Sequence, residues 1–173
     1  MNNATRLLSF ILVLGVTHAI SMVDYAPDCD VDPDFGFWYS ELLRNNENAT
    51  STSEYTNFFA PNGSLIVLGD VATGPEAILR SRAAMLPLDG SIQWNHFPNT
   101  TSVSAESSTE KSFQVSGVLQ TVTTADGNCS TIYFQTLFTV AKTKNTANLI
   151  PQSGSLLVYD GYSINASDAP CTK

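Results

Sequence analysis

Beyond an apolar leading run the chain holds a single histidine, His96, in the stretch Trp94-Asn95-His96-Phe97. An imidazole can take a proton from carbon, or return one to a departing hydroxyl, at little cost near neutral pH. Strand alternation puts Ile92, Trp94 and His96 on one face and Gln93, Asn95 and Phe97 on the other, so His96 shares a face with a large aromatic. The plainer alternative is a histidine hydrogen-bonded inside the core for packing. A base of this kind works with a second polar group that polarises a carbonyl or orients the ring. Asp160, flanked by Tyr159 and Tyr162 in an apolar last strand, is the candidate carboxylate; it also stands where it could cap the Gly161 turn. Tyr55, Tyr133, Tyr159 and Trp94 are candidate substrate contacts, the tyrosines as donors to a carbonyl or all four as apolar wall.

Other chemistries find little support. Asp30, Asp32, Asp34 and Glu41 have the spacing of a calcium loop, but Phe35 occupies the position that requires glycine and Pro33 the fourth. These acids are expected to favour a helix N-terminus, and no metal site is predicted. The sequence has no Gly-x-Ser-x-Gly elbow, paired Cys-x-x-Cys or phosphate-binding glycine loop, so hydrolase, redox and nucleotide functions are unsupported. No cofactor is expected.

The chain has 16 acidic and 8 basic residues, a poor surface for nucleic acid, which needs clustered Lys and Arg. Its first 19 residues read as a secretory signal: Arg6, an apolar run from Leu7 to Val16, then the small-residue site Thr17-His18-Ala19. The run is too short to span a bilayer and no later segment approaches that length, so no membrane anchor is expected. A secreted or secretory-lumen protein is the reading. Five Asn-x-Ser/Thr acceptors follow, at Asn48, Asn62, Asn99, Asn128 and Asn165, as candidate glycosylation sites. Cys29, Cys129 and Cys171 allow one disulfide plus a free thiol. Antiparallel neighbours at the end of the chain would favour Cys129 with Cys171, while pairing of either with Cys29 stays open.

The elements that must position these groups fall into two blocks. Residues 20–31 form an irregular lead. Asp32-Pro33 then starts a helix in which Phe35, Trp38, Tyr39, Leu42 and Leu43 make one apolar stripe. Ser51 and Glu54 have capping-box spacing for a second, shorter helix that buries Tyr55, Phe58 and Phe59. Asn62-Gly63 is expected to turn the chain into Ser64–Leu68, a short β segment, with Gly69–Ala72 offering its return. Thr73 and Glu76 box a third helix reaching about Leu86, with Leu79, Ala83 and Leu86 as its inner stripe and Ile78 and Met85 flanking. The period then changes to two, predicting strands near 91–105, 111–124, 130–143 and 154–165. Helices first and antiparallel strands afterwards argue for one α+β domain over residues 32–165, with 166–173 as a tail.

This order resembles the nuclear transport factor 2-like cone, in its SnoaL-like, scytalone-dehydratase-like and ketosteroid-isomerase-like branch. The likeness rests on Phe58-Phe59-Ala60-Pro61-Asn62-Gly63-Ser64, Gly74-Pro75-Glu76-Ala77-Ile78 and Trp94-Asn95-His96-Phe97. It implies a curved sheet wrapped around three N-terminal helices, a cavity, and cofactor-free proton chemistry on polyketide or steroid rings, His96 falling at a catalytic histidine position. It implies a functional acid near Asp160. The resemblance also marks departures: Val67 stands where such proteins carry a carboxylate or a tyrosine. The second histidine of the dehydratases has no counterpart in residues 111–124, and their acid after the first helix maps near Glu47 or Asn48. Two readings follow. One is a secreted isomerase, dehydratase or cyclase acting on a small hydrophobic polyketide-like intermediate, including maleic-anhydride-type units that are coupled or cyclised. The other is a non-catalytic protein that holds such a ligand or forms a homodimer through the outer sheet face.

Overall fold

The computed structural model describes residues 20–167 and Cys171. The expected signal segment 1–19, with His18, and residues 168–170 and 172–173 lie outside the described residues, as do the side chains of 165–167. After the lead, which adds a two-residue strand β1 (Ala26–Pro27), come α1 (Phe35–Glu47), the single turn α2 (Ser53–Thr56), β2 (Phe59–Val67), β3 (Asp70–Thr73) and α3 (Pro75–Met85). The long strands β4 (Ile92–Glu106), β5 (Glu110–Thr123), β6 (Cys129–Thr143) and β8 (Leu156–Ser167) follow, with the two-residue β7 (Thr146–Ala147) beside β6. They form a sheet in the order β1-β4-β5-β6-β8-β2-β3. The long strands pair antiparallel, whereas β2 joins β8 and β1 joins β4 in parallel, so the sheet is mixed.

The apolar stripe of α1 is the centre of the core. Phe35, Trp38, Tyr39, Leu42 and Leu43 are all buried. Phe35 packs 4.3 Å from Phe113 of β5, and Trp38 meets Phe58 and Phe138 edge-on at 6.0 Å each. A helix carrying that much aromatic surface has to be wrapped, and the sheet wraps it. Phe59 begins β2 rather than closing α2, and packs edge-on to Tyr55 at 5.5 Å. Phe59→Ala is therefore expected to cost about 3 to 5 kcal/mol in chemical denaturation; a loss below about 1 kcal/mol would misplace it.

Three local expectations need correction. Asn62-Gly63 is not a turn: it lies inside β2, where the register to β8 shifts between Phe59 and Ser64. A Cβ on Gly63 would sit 2.7 Å from the Leu156 carbonyl oxygen, so this glycine serves close backbone approach. The hairpin reversal itself lies where the return was expected to begin, at Leu68 and Gly69, both at positive φ between the paired Val67 and Asp70. Second, Ser51 caps no helix. Its hydroxyl bonds Asn45 Oδ1, while Glu54 accepts from the Thr52 N–H, and only one turn of α2 forms. Third, the buried face of α3 is Ile78, Arg82 and then Leu86; Ala83 is exposed and Leu79 half-buried.

The lead is fastened by charge. Asp32 pairs with Lys111 Nζ at 2.5 Å instead of the α1 N-terminus, and Asp34 makes no side-chain cap bond there. A disulfide joins Cys129 to Cys171, and Cys29 is exposed and free.

Candidate active site

Every layer contributes to one cavity of about 270 Å³. Its wall is Leu65 and Val67 of β2, Met85 of α3, Trp94 and His96 of β4, Leu119 of β5, and Ile132 and Phe134 of β6. Trp94 and His96 face it together, with ring centroids 6.2 Å apart. Polar groups enter from the helices, β6 and the last strand: Asn46, Tyr55, Arg82, Thr136 and Tyr159.

The partner of His96 is Glu47. Its Oε1 lies 2.9 Å from His96 Nδ1 and accepts the His96 backbone N–H at 2.6 Å. The two side chains are only 7% and 9% exposed. A carboxylate on Nδ1 holds that nitrogen as the proton donor, leaving the Nε2 lone pair for the cavity, where it has no partner among the described residues. The same carboxylate stabilises the imidazolium that forms when Nε2 takes a proton.

Glu47 reaches His96 because it is the last residue of α1, whose end is pinned by Arg82. That buried guanidinium donates to the carbonyls of Asn45 at 2.9 Å, Asn48 and Ala49 at 3.3 Å each, and Ser51. A helix C-terminus leaves carbonyls without partners, and Arg82 supplies them from α3. Its Cζ also lies 4.7 Å above the Tyr55 ring. Burial lowers the Arg82 pKa from its ordinary value, with Tyr55 opposing the shift.

Of the residues expected from sequence, Trp94, His96, Tyr55 and Tyr159 line the cavity. Asp160 does not. It follows Tyr159 on β8 and so points to the other face, between Leu137 and Ile66 of the neighbouring strands. Tyr133 is 49% exposed on the outer face for the same reason. Sequence reasoning did not single out Asn46, Arg82 or Thr136. The first two carried a signal: Asn46 continues the α1 stripe four residues after Leu42, and Arg82 sits midway between Ile78 and Leu86 on one helical face.

The phenols around the dyad are held neutral. Burial raises the pKa of Tyr159, and Glu47 raises it further. Burial and Tyr159 raise Tyr55 well above its ordinary value against the pull of Arg82, and burial with Tyr159, Tyr25 and Glu47 does the same to Tyr39. Above a pH of about 10 the unfolded chain loses phenolic protons that the folded chain keeps, so stability present below that pH falls as it rises. The melting temperature should drop steadily from about pH 10 upward; a flat profile to about pH 11 would show these phenols free to ionise in place.

Neither a protein-family profile nor a curated protein sequence matches the chain. Solved structures share its fold. ActVI-ORFA from Streptomyces coelicolor superposes with a TM-score of 0.60 at 12% identity, over 76% of this chain and 95% of that one. Hexachlorocyclohexane dehydrochlorinase LinA-type3 from Novosphingobium barchaimii gives 0.58 at 11% identity, over 78% and 85%. A ketosteroid isomerase-like protein from Erwinia carotovora atroseptica gives 0.54 at 12%, over 76% and 94%. Identities this low establish architecture alone, and that architecture is the nuclear transport factor 2-like cone.

Proposed function

We propose that the chain is a cofactor-free lyase, isomerase or cyclase that moves protons on a small apolar carbonyl compound. The observation that carries this is the buried Glu47–His96 pair, whose imidazole lines a cavity walled largely by apolar side chains. Nε2 of His96 takes a proton from the carbon next to a carbonyl; the electron pair of that C–H bond becomes the carbon–carbon double bond of an enolate, and the carbonyl π pair moves to the oxygen. Asn46 and Tyr159 line the cavity and make no side-chain hydrogen bond among the described residues, so they are the donors available to that oxyanion. The imidazolium, held by Glu47, then returns its proton to another carbon, giving an isomer, or to a β-hydroxyl, which leaves as water. Glu47 thus takes the partner role that the sequence offered to Asp160.

A polyketide-like intermediate fits the apolar wall, and coupling or cyclisation of maleic-anhydride-type units is the finer reading that the family resemblance suggests. Secretion and glycosylation belong to the same proposal. They are supported by the Cys129–Cys171 disulfide and by the exposure of Asn48, Asn62, Asn99 and Asn128. One observation favours a second reading, a binding protein. Val67 puts an apolar group on the cavity wall where related enzymes carry an acid or a tyrosine.

The test is α-proton exchange in 2-tetralone, a bicyclic ketone, followed by NMR in deuterated buffer. The enzyme reading expects exchange far above the buffer rate. Binding of 2-tetralone in the cavity without any acceleration would reject that reading and leave the binding protein.

A further inference from the structure

The outer face of the sheet carries a second groove, of about 290 Å³, that the cavity chemistry does not use. It is lined by Phe97, Asn99, Thr100, Val118, Tyr133 and Ile164, among others. Cross-strand register sets Phe97 against Val118 and Val118 against Tyr133, so the three form one row across β4, β5 and β6. Tyr133 and Ile164 are 49% and 59% exposed. At the edge of the row, Asn99 falls between the Pro98–Gly117 and Thr100–Ser116 pairs, where the register shifts, so it is a bulged residue outside the ladder. Its acceptor sequence is Asn99-Thr100-Thr101, with Phe97 two residues ahead. Asn165, another acceptor, is the register partner of Tyr133 on β8.

We propose that Asn99 is N-glycosylated and that its first N-acetylglucosamine lies in this groove against the rings of Phe97 and Tyr133. The inference deepens the secretory reading and rests on it for delivery of the chain to the transferase. In the transfer the Asn99 carboxamide nitrogen bonds to C1 of a lipid-diphosphate-linked oligosaccharide. The C1–O bond breaks with its electron pair going to the diphosphate, and one amide proton leaves to the transferase. Nothing is oxidised or reduced. The fold then decides what the sugar meets: a pyranose presents a face of C–H groups, which suits the negative face of an aromatic ring. The sugar, rather than a second copy of the chain, covers this apolar row.

Wild type, Asn99→Gln and Phe97→Leu are secreted from a eukaryotic host. Each is either trimmed to one N-acetylglucosamine per site by an endoglycosidase or stripped by an amidase. Peptide mass, melting temperature and light scattering are then read. Asn99 should be occupied, and stripping should lower the wild-type melting temperature by about 2 to 4 °C relative to trimming. That difference should fall below about 1 °C in Asn99→Gln, which removes only an exposed acceptor, and in Phe97→Leu. An unmodified Asn99 in a chain glycosylated elsewhere would overturn this inference alone, and a chain without any sugar would overturn the secretory reading with it. Equal melting temperatures for trimmed and stripped wild type would overturn the docking. A glycosylated protein that is dimeric through this face would assign the groove to a second copy.

Discussion

Glu47→Gln should slow enzyme-accelerated exchange of 2-tetralone by about 10²- to 10⁴-fold, and His96→Ala by a similar factor, in proteins that remain folded. Glutamine keeps an oxygen that can accept from both the His96 backbone N–H and Nδ1, which Glu47 Oε1 meets at 2.6 and 2.9 Å. What it removes is the charge. With both side chains under a tenth exposed, solvent cannot replace that charge, and the imidazolium required after proton abstraction loses its counter-ion. Because the two groups act as a unit, the double variant should be barely slower than either single one. Rates are compared with and without a chelator, alongside melting temperatures. Wild-type exchange in Glu47→Gln, full activity in a folded His96→Ala, or loss of wild-type activity to chelator alone would each sink the proposed mechanism. A packing histidine would show the reverse pattern, lower stability with the exchange rate intact.

Half of this dyad was legible in the sequence. Period-two alternation fixed the face of His96, because Trp94 and His96 lie within a long strand whose pairing to β5 runs unbroken from Ile92 to Pro98. The same rule, applied to Tyr159 and Asp160, separates them onto opposite faces; composition alone drew attention to the carboxylate between tyrosines. Glu47 was visible only through resemblance, since its partner lies 49 residues away and a helix end gives no sign of what it will touch. The turn chemistry misled for a related reason. Asn-Gly is the usual signal of a two-residue hairpin, but Gly63 is demanded by the carbonyl of Leu156, a strand formed at the far end of the chain. The hairpin reversal lies at Leu68-Gly69, where the return was expected to begin, and there a bulky residue takes the left-handed conformation. The long core helix α1, by contrast, read correctly, because its stripe is wholly apolar over two turns and more. Where it carried a guanidinium, as in α3, a neighbouring and less polar stripe looked better.

That misread guanidinium should prove the most consequential side chain outside the dyad. Arg82→Met is expected to destabilise the protein by about 3 to 5 kcal/mol, because it strips the donors from buried carbonyls and leaves them unpaired. Methionine keeps most of the apolar stem volume, so the loss reports hydrogen bonding rather than a cavity. Arg82→Lys should recover only part of it. An ammonium is a point donor, whereas the guanidinium fork spans the carbonyls of Asn45, Asn48, Ala49 and Ser51. Those four carbonyls bracket Glu47, so the loss should also appear in catalysis measured well below the melting transition. The chain that carries the carboxylate to His96 would no longer be held, and the exchange rate should fall in Arg82→Lys while 2-tetralone affinity changes little. Arg82→Met within about 1 kcal/mol of wild type would show the α1 terminus satisfied without the guanidinium. An Arg82→Lys protein of normal exchange rate but lowered stability would confine Arg82 to the fold and leave Glu47 positioned by α1 alone.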